Sequence, residues 1–120
     1  MQISPWEIVY FENDRGDSPI FSFVNGLSPI DQAKVANTLD LLAEYGTRLG
    51  SPHVKKLQGT KLWELRILGK NNIRILYITH TETKFVLLHG FLKKSQKTTP
   101  KELKTALHRL AILTNSQLKL

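Results

Sequence analysis

The stretch LWELRILGKNNIRILYITHTETKFVLLHGFL, residues 62–92, contains three apolar runs separated by short polar segments. Each run is mainly apolar and has the length of a β-strand. The separating segments, GKNN at 69–72 and HTET at 80–83, are short and polar, as turns between adjacent antiparallel strands are. This stretch therefore predicts a three-stranded antiparallel meander.

The residues before the meander predict a strand followed by two helices. The segment SPWEIVYFE at 4–12 has the composition of a strand. Helices are expected at 18–26 and 28–46, because each range begins with Ser-Pro and ends with Gly. A further short strand is expected around 54–57.

After the meander, Thr99-Pro100 starts a third helix whose apolar residues recur at helical spacing up to Leu113. The order β-α-α-β-β-β-α predicts an α+β fold, in which an antiparallel sheet packs against the N-terminal helical hairpin and a C-terminal helix follows. We expect one domain over residues 1–113 and a tail over 114–120.

Composition excludes several classes of protein. The chain has no Cys, so disulfides and thiolate metal sites are ruled out. No apolar run is long enough to cross a membrane, and the acidic N-terminus lacks the pattern of a secretory signal. We therefore expect a cytoplasmic protein that does not contact membranes.

Charge is distributed unevenly along the chain. Residues 1–47 carry two basic and seven acidic residues, for a formal charge of −5, whereas residues 48–120 carry fifteen and three, for +12. A basic half of this kind indicates a surface that binds a polyanion, and nucleic acid is the expected partner. The alternative is a solvated basic face without a partner.

Alternation along the strands places cations near one edge of the sheet. Arg66 and Arg74 lie amid apolar residues, so either both face a solvated concave surface or one of them pairs with Glu64. The third strand ends level with Arg66 and runs into Lys93 and Lys94. We expect these cations and Lys97 to converge, and we expect one face to carry Phe85, Leu87, His89 and Phe91.

The cationic cluster suits RNA cleavage through the ribose 2′-OH without a metal or another cofactor. Attack of the 2′-oxygen on the adjacent phosphate gathers negative charge that guanidinium groups stabilise. No metal-ligand spacing, nucleophile elbow, phosphate-binding loop or pair of carboxylates offers another chemistry. Simple phosphate binding by the same residues remains open.

The segments KKLQGTKLWELRI, IRILYI, FVLLHGFLKKSQKTTPKEL and ALHRL, within residues 50–112, resemble the phage-derived, HigB-like branch of the RelE/ParE toxin superfamily. The resemblance implies a RelE-like fold and the toxin of a type II toxin–antitoxin pair. Such toxins are metal-independent endoribonucleases that cut mRNA on the ribosome and stop translation. Their partner is a helix-turn-helix antitoxin, HigA-like in this branch.

Residue by residue, the resemblance assigns Arg66, Arg74, Lys93 and Lys94 to catalysis. Lys55, Lys56 and Lys61 fall near other basic positions of the family, and together with Lys97 they are the residues expected to bind RNA. RelE itself carries lysines where Glu64 stands here, so the general base and acid remain open among Glu64, Lys93, Lys94 and His89. A ParE-like inhibitor of gyrase and a non-catalytic RNA-binding module are the alternative functions.

Overall fold

The computed structural model describes residues 6–81, 83–94 and 97–118. The strands are β1 (Glu7–Tyr10), β2 (Val54–Lys56), β3 (Trp63–Ile67), β4 (Ile73–His80) and β5 (Lys84–Leu92). The helices are α1 (Pro19–Asn25), α2 (Pro29–Tyr45) and α3 (Pro100–Leu118), with a 3₁₀ turn at Gly46–Arg48. The α+β class and the predicted element order are confirmed, including the short strand before the meander.

The five strands form one sheet in the order β1-β5-β4-β3-β2. The pairs β2–β3, β3–β4 and β4–β5 are antiparallel, so the predicted meander is confirmed. The sheet is nevertheless mixed rather than wholly antiparallel, because β1 lies parallel to β5. Helices α1 and α2 carry the chain from β1, at one edge of the sheet, to β2 at the opposite edge. The meander then leads back, so that β5 pairs with β1.

Both helices of the N-terminal hairpin begin where the sequence predicts. Ser18 Oγ accepts a hydrogen bond from the backbone N–H of Phe21, and Ser28 Oγ accepts one from Asp31. Gly46 ends α2 with φ 58°, and a Cβ there would lie 1.9 Å from the Trp6 ring. That close approach places the end of α2 beside the segment that leads into β1. Of the strand predicted at 4–12, residues 4 and 5 lie outside the described residues.

The sheet is covered on both sides. Helix α1 packs on β5, and α2 packs on β1 and β3, whereas α3 packs on β5 from the opposite side. Buried residues of the strands form most of the core, together with Ile20, Val35 and Leu42 from the hairpin and Ala106 from α3. Helix α3 runs to Leu118, so the predicted boundary at residue 113 falls inside it.

An irregularity in β5 changes which of its residues share a face. Opposite β4, Leu76 pairs with His89 but the next residue, Tyr77, pairs with Leu87, which leaves Leu88 as an extra residue. Phe85 therefore lies on the hairpin side, where Trp6 stacks on it, whereas His89 contacts α3. The prediction that Phe85, Leu87, His89 and Phe91 share one face is wrong for this reason.

Candidate functional site

A fully buried carboxylate lies on the α3 side of the sheet. Glu64 Oε1 is 3.6 Å from Arg66 Nε, 3.6 Å from Arg74 Nε and 3.5 Å from Lys93 Nζ. Its other oxygen, Oε2, accepts a hydrogen bond of 2.6 Å from the hydroxyl of Thr98. We call Glu64, Arg66, Arg74 and Lys93 the Glu64 cluster.

Strand register brings the members of the Glu64 cluster together. Arg66 on β3 pairs directly with Arg74 on β4, so both side chains project from the same face. Glu64 lies two residues before Arg66 and shares that face. Lys93 follows β5, and its backbone N–H donates to the carbonyl of Asn72, just before β4. The predicted convergence of these three cations is therefore what the sheet produces.

The cluster keeps an excess of positive charge. Three cations share one carboxylate, and each lies at 3.5–3.6 Å from Oε1, so no cation forms a short two-pronged pair with Glu64. The Nε atoms of Arg66 and Arg74 are buried and have no hydrogen-bond partner. Burial lowers the pKa of the Arg74 guanidinium; Glu64 opposes this shift, and Arg66 adds to it.

A basic groove of about 430 Å³ adjoins the Glu64 cluster. On one side it is lined by residues of β2 and the turn after it, including Lys55 and Lys56, and on the other by Lys93, Lys97 and Thr98. Glu64 also lines the groove. Lys55 pairs with Glu64 in the sheet, so its side chain projects from the same face as the cluster.

His89 belongs to a separate group of side chains under α3. Its Nε2 lies 2.8 Å from Glu102 Oε1, and its Nδ1 lies 3.2 Å from Arg109 Nη1. Arg109 can only donate, so Nδ1 accepts and Nε2 carries the proton that is donated to Glu102. Burial, the largest effect, lowers the pKa of His89, and the hydrogen bond to Glu102 opposes the shift. His89 is thus a neutral anchor for α3.

The remaining predicted residues, Lys56, Lys61 and Lys94, differ in which groove they line. Lys56 reaches over the ring of Trp63, with Nζ 5.6 Å from the ring centroid, and donates to the backbone carbonyl of Thr60. Lys61 is exposed and lines an adjoining groove rather than the basic groove. Lys94 is exposed and lines neither groove.

Sequence reasoning missed Thr98, which orients Glu64, and the pair Glu102 and Arg109, which hold His89. Thr98 lies in a polar connection that carries no periodic signal. Arg109 lies on α3 and reaches the carbonyl of Leu88, the extra residue of β5, at 2.7 Å. Only knowledge of that irregularity would have revealed the contact.

Neither a metal-binding cluster nor a membrane-spanning helix is found among the residues that the structure describes. Among them, no three His, Cys, Asp or Glu side chains lie close enough together to hold a metal ion. No helix within the described ranges has the length and apolar content that a membrane crossing requires.

Comparison with known proteins identifies the family. Residues 22–111 match the family described as "Phage derived protein Gp49-like (DUF891)". The chain belongs to this family. The matched range includes α2, the whole meander and most of α3, and therefore every member of the Glu64 cluster. None of the curated proteins compared with the chain is a match.

The Gp49-like family belongs to the RelE/HigB-like toxins, and RelE-type toxins are endoribonucleases. A toxin of this family implies an antitoxin as its partner. The five-stranded sheet with three helices, the last at the C-terminus, agrees broadly with a RelE-like fold.

Proposed function

We propose that this Gp49-like protein is a HigB-type toxin of a type II toxin–antitoxin pair that cleaves mRNA on the ribosome. The reaction is attack of a ribose 2′-oxygen on the adjacent phosphate, in a site that uses arginine and lysine rather than a metal ion. The partner that silences it is a helix-turn-helix antitoxin of the HigA type.

The observation that supports this proposal best is the charge of the Glu64 cluster. Arg66, Arg74 and Lys93 bring three positive charges to one carboxylate, which leaves an excess of two. Arg66 retains 29% of its side-chain exposure and Arg74 retains 16%, so neither is sealed from a ligand. A phosphodiester entering from the basic groove would meet this excess charge in a partly buried environment, where electrostatic attraction is strong.

The cluster suits a transition state that is more negative than the substrate. The phosphoryl oxygens gain charge as the 2′-oxygen attacks, and the guanidinium groups of Arg66 and Arg74 stabilise that charge. Because Glu64 and the sheet already hold both arginines in place, little reorganisation is needed during the reaction. The products of this step are a 2′,3′-cyclic phosphate and a free 5′-hydroxyl.

Two candidates for proton transfer are poorly placed. Both ring nitrogens of His89 are occupied by Glu102 and Arg109. Glu64 is fully buried, and its oxygens face Thr98 and the three cations. We therefore assign both proton transfers to Lys93 and Lys94: one of the two amines takes the proton of the attacking 2′-OH, and the other, as an ammonium group, gives a proton to the leaving 5′-oxygen. Lys94 is exposed to solvent.

The test is induced expression followed by mapping of transcript 5′ ends. The wild type should arrest growth and create new ends inside translated messages. Arg74→Ala and Lys94→Ala should each relieve both effects, whereas Lys70→Ala, at an exposed lysine between β3 and β4, should not. Arrest with intact mRNA and broken DNA would replace this proposal with inhibition of gyrase.

A non-catalytic RNA-binding protein is the second candidate, and the Glu64 ion pairs favour it. A carboxylate that partly neutralises the cations weakens their stabilisation of a transition state more than it weakens general phosphate attraction. Salt-sensitive binding of RNA without new transcript ends, with ribosomes present, would identify this function.

A further inference from the structure

A second groove, which we call the edge groove, lies beside β2 at the edge of the sheet. It has a volume of about 530 Å³ and lies between the β2–β3 connection, the end of β4 and the C-terminal half of α3. The residues that matter to its chemistry are Lys56, Lys61, Trp63, Thr79, His80 and Thr114. The proposed cleavage reaction does not use this groove.

The lining of the edge groove combines positive charge with an aromatic ring. Lys56 and Lys61 supply the charge, and no carboxylate is among the described residues that line it. Trp63 is half-buried: it lines the edge groove and also a small internal cavity of about 30 Å³ with Tyr77 and Phe85. Because the Trp63 ring is already held in place, a ligand can pack against it at little cost in side-chain conformational entropy.

The edge groove continues the basic groove. Lys56 and Thr60 line both, so one ligand can extend from one groove into the other past these two residues. Lys56 is held at the junction, with Nζ 5.6 Å from the Trp63 ring centroid and bonded to the carbonyl of Thr60. A single polynucleotide strand has the shape and the repeating charge that such a path requires.

We propose that the edge groove binds a nucleotide of the same single-stranded RNA, flanking the phosphodiester at the Glu64 cluster. Its phosphate contacts Lys56 and Lys61, and its base stacks on Trp63, which is how single strands are commonly held without regard to sequence. This inference rests on the proposed function for the identity of the ligand, but it concerns binding rather than cleavage.

The experiment measures binding of fluorescein-labelled, 2′-O-methylated uridine oligonucleotides, which cannot be cleaved through a 2′-OH. Wild-type protein should bind the octanucleotide more tightly than the dinucleotide, because only the longer strand spans both grooves. Trp63→Leu should weaken octanucleotide binding by about tenfold. Lys61→Ala should weaken octanucleotide binding by about threefold. It should also reduce the slope of log affinity against log salt concentration by the amount expected for roughly one phosphate contact.

Controls separate the groove from the rest of the molecule. Lys70→Ala, another exposed lysine, should leave both affinities unchanged, and Lys61→Ala should leave dinucleotide binding unchanged. Trp63→Phe keeps a smaller ring and should give an intermediate affinity. Because Lys61 is exposed, its variant tests the proposal even if Trp63→Leu fails to fold.

Failure of this inference can be told apart from failure of the proposed function. If the octanucleotide does not bind, or if Lys61→Ala and Trp63→Phe bind it like the wild type, the edge groove is not an RNA subsite. The cleavage proposal would stand in that case, provided that transcripts are still cut. If these variants lose affinity while no transcript is cut, the subsite stands and the nuclease proposal is wrong.

Discussion

Glu64 is the residue on which the candidate site depends. Its side chain has no exposed surface, yet it carries a charge and faces three cations at 3.5–3.6 Å. Burial of a lone carboxylate is strongly unfavourable, and so is crowding of three cations, so each compensates for the other. Glu64 is therefore a positioning residue for Arg66, Arg74 and Lys93.

Replacing Glu64 by Gln should destabilise the protein. Glutamine keeps the shape of the side chain but removes the negative charge that faces Arg66, Arg74 and Lys93. We expect the free energy of unfolding to fall by about 3–5 kcal/mol, as when one partner of a buried ion pair is removed. Urea denaturation at neutral pH measures this change.

The matched control is Glu7→Gln, which removes a carboxylate that is 61% exposed and lies 3.9 Å from Lys84. Exposed ion pairs of this kind contribute little, so the change should be much smaller. Equal stability of wild type and Glu64→Gln would show that the carboxylate does not hold the cluster together.

At the scale of elements, α3 is fastened to β5 by the neutral form of His89. Its ring donates to Glu102 and accepts from Arg109, and Lys101 and the stacked ring of Phe91 are also near it. A proton on Nδ1 would face the N–H of Arg109, so the folded state binds that proton more weakly than the unfolded state does.

The stability of the protein should therefore depend on pH through His89. Its pKa is lowered from 6.5, mainly by burial, so the contribution is fully present above about pH 6.5 and is lost as the pH falls through and below that value. His89→Gln should flatten the fall in free energy of unfolding below pH 6.5, measured by urea denaturation. His108→Gln, at an exposed position on α3, should not.

Contact between α1 and β5 depends on Gly90. A Cβ at this position would lie 2.5 Å from Cδ2 of Phe23 and 3.2 Å from its Cγ, so the ring as a whole would have to move. Gly90→Ala should cost about 1–3 kcal/mol of stability, as overpacking does. Thermal unfolding should show this loss, and adding Phe23→Leu should restore part of the stability. The control is Gly50→Ala, which should cause no loss, because a Cβ at residue 50 would meet nothing within 4 Å.

Local signals in the sequence predict most of the elements but not their joint arrangement. Ser-Pro starts and Gly ends mark α1 and α2, and alternating apolar runs mark β3, β4 and β5, because caps and periodicity are properties of a few adjacent residues. The parallel pairing of β1 with β5 and the extra residue Leu88 depend on distant contacts.

The candidate site was predicted to a similar degree. The alternation of side chains along the strands, together with the order of the strands, predicts that Arg66, Arg74 and Lys93 lie close together. The structure confirms this. Alternation leaves open whether both arginines face solvent or one pairs with Glu64; in the structure both lie 3.6 Å from Glu64 Oε1. The role of Thr98 depends on the path of a connection that has no pattern of its own.

At the scale of the whole molecule, charge separates along the chain, with −5 over residues 1–47 and +12 over residues 48–120. Both grooves are built from the basic half, so RNA binding should be strongly salt-dependent.

We expect the logarithm of the affinity for RNA to fall linearly with the logarithm of salt concentration, with a slope of about 0.7 per neutralised phosphate. Anisotropy titrations with single-stranded RNA at several salt concentrations check this, and a flat response would exclude an electrostatic path for RNA.

The central claim is that the Glu64 cluster cleaves RNA through a 2′-OH, and the chemistry of the products tests it most directly. Translating ribosomes with end-labelled mRNA should yield fragments that end in a 2′,3′-cyclic phosphate and begin with a 5′-hydroxyl. A single 2′-deoxy nucleotide at the cut should prevent cleavage, and folded Arg66→Ala and Arg74→Ala proteins should be inactive. Cleavage of the deoxy substrate, or full activity in a protein that lacks both arginines, would contradict the claim.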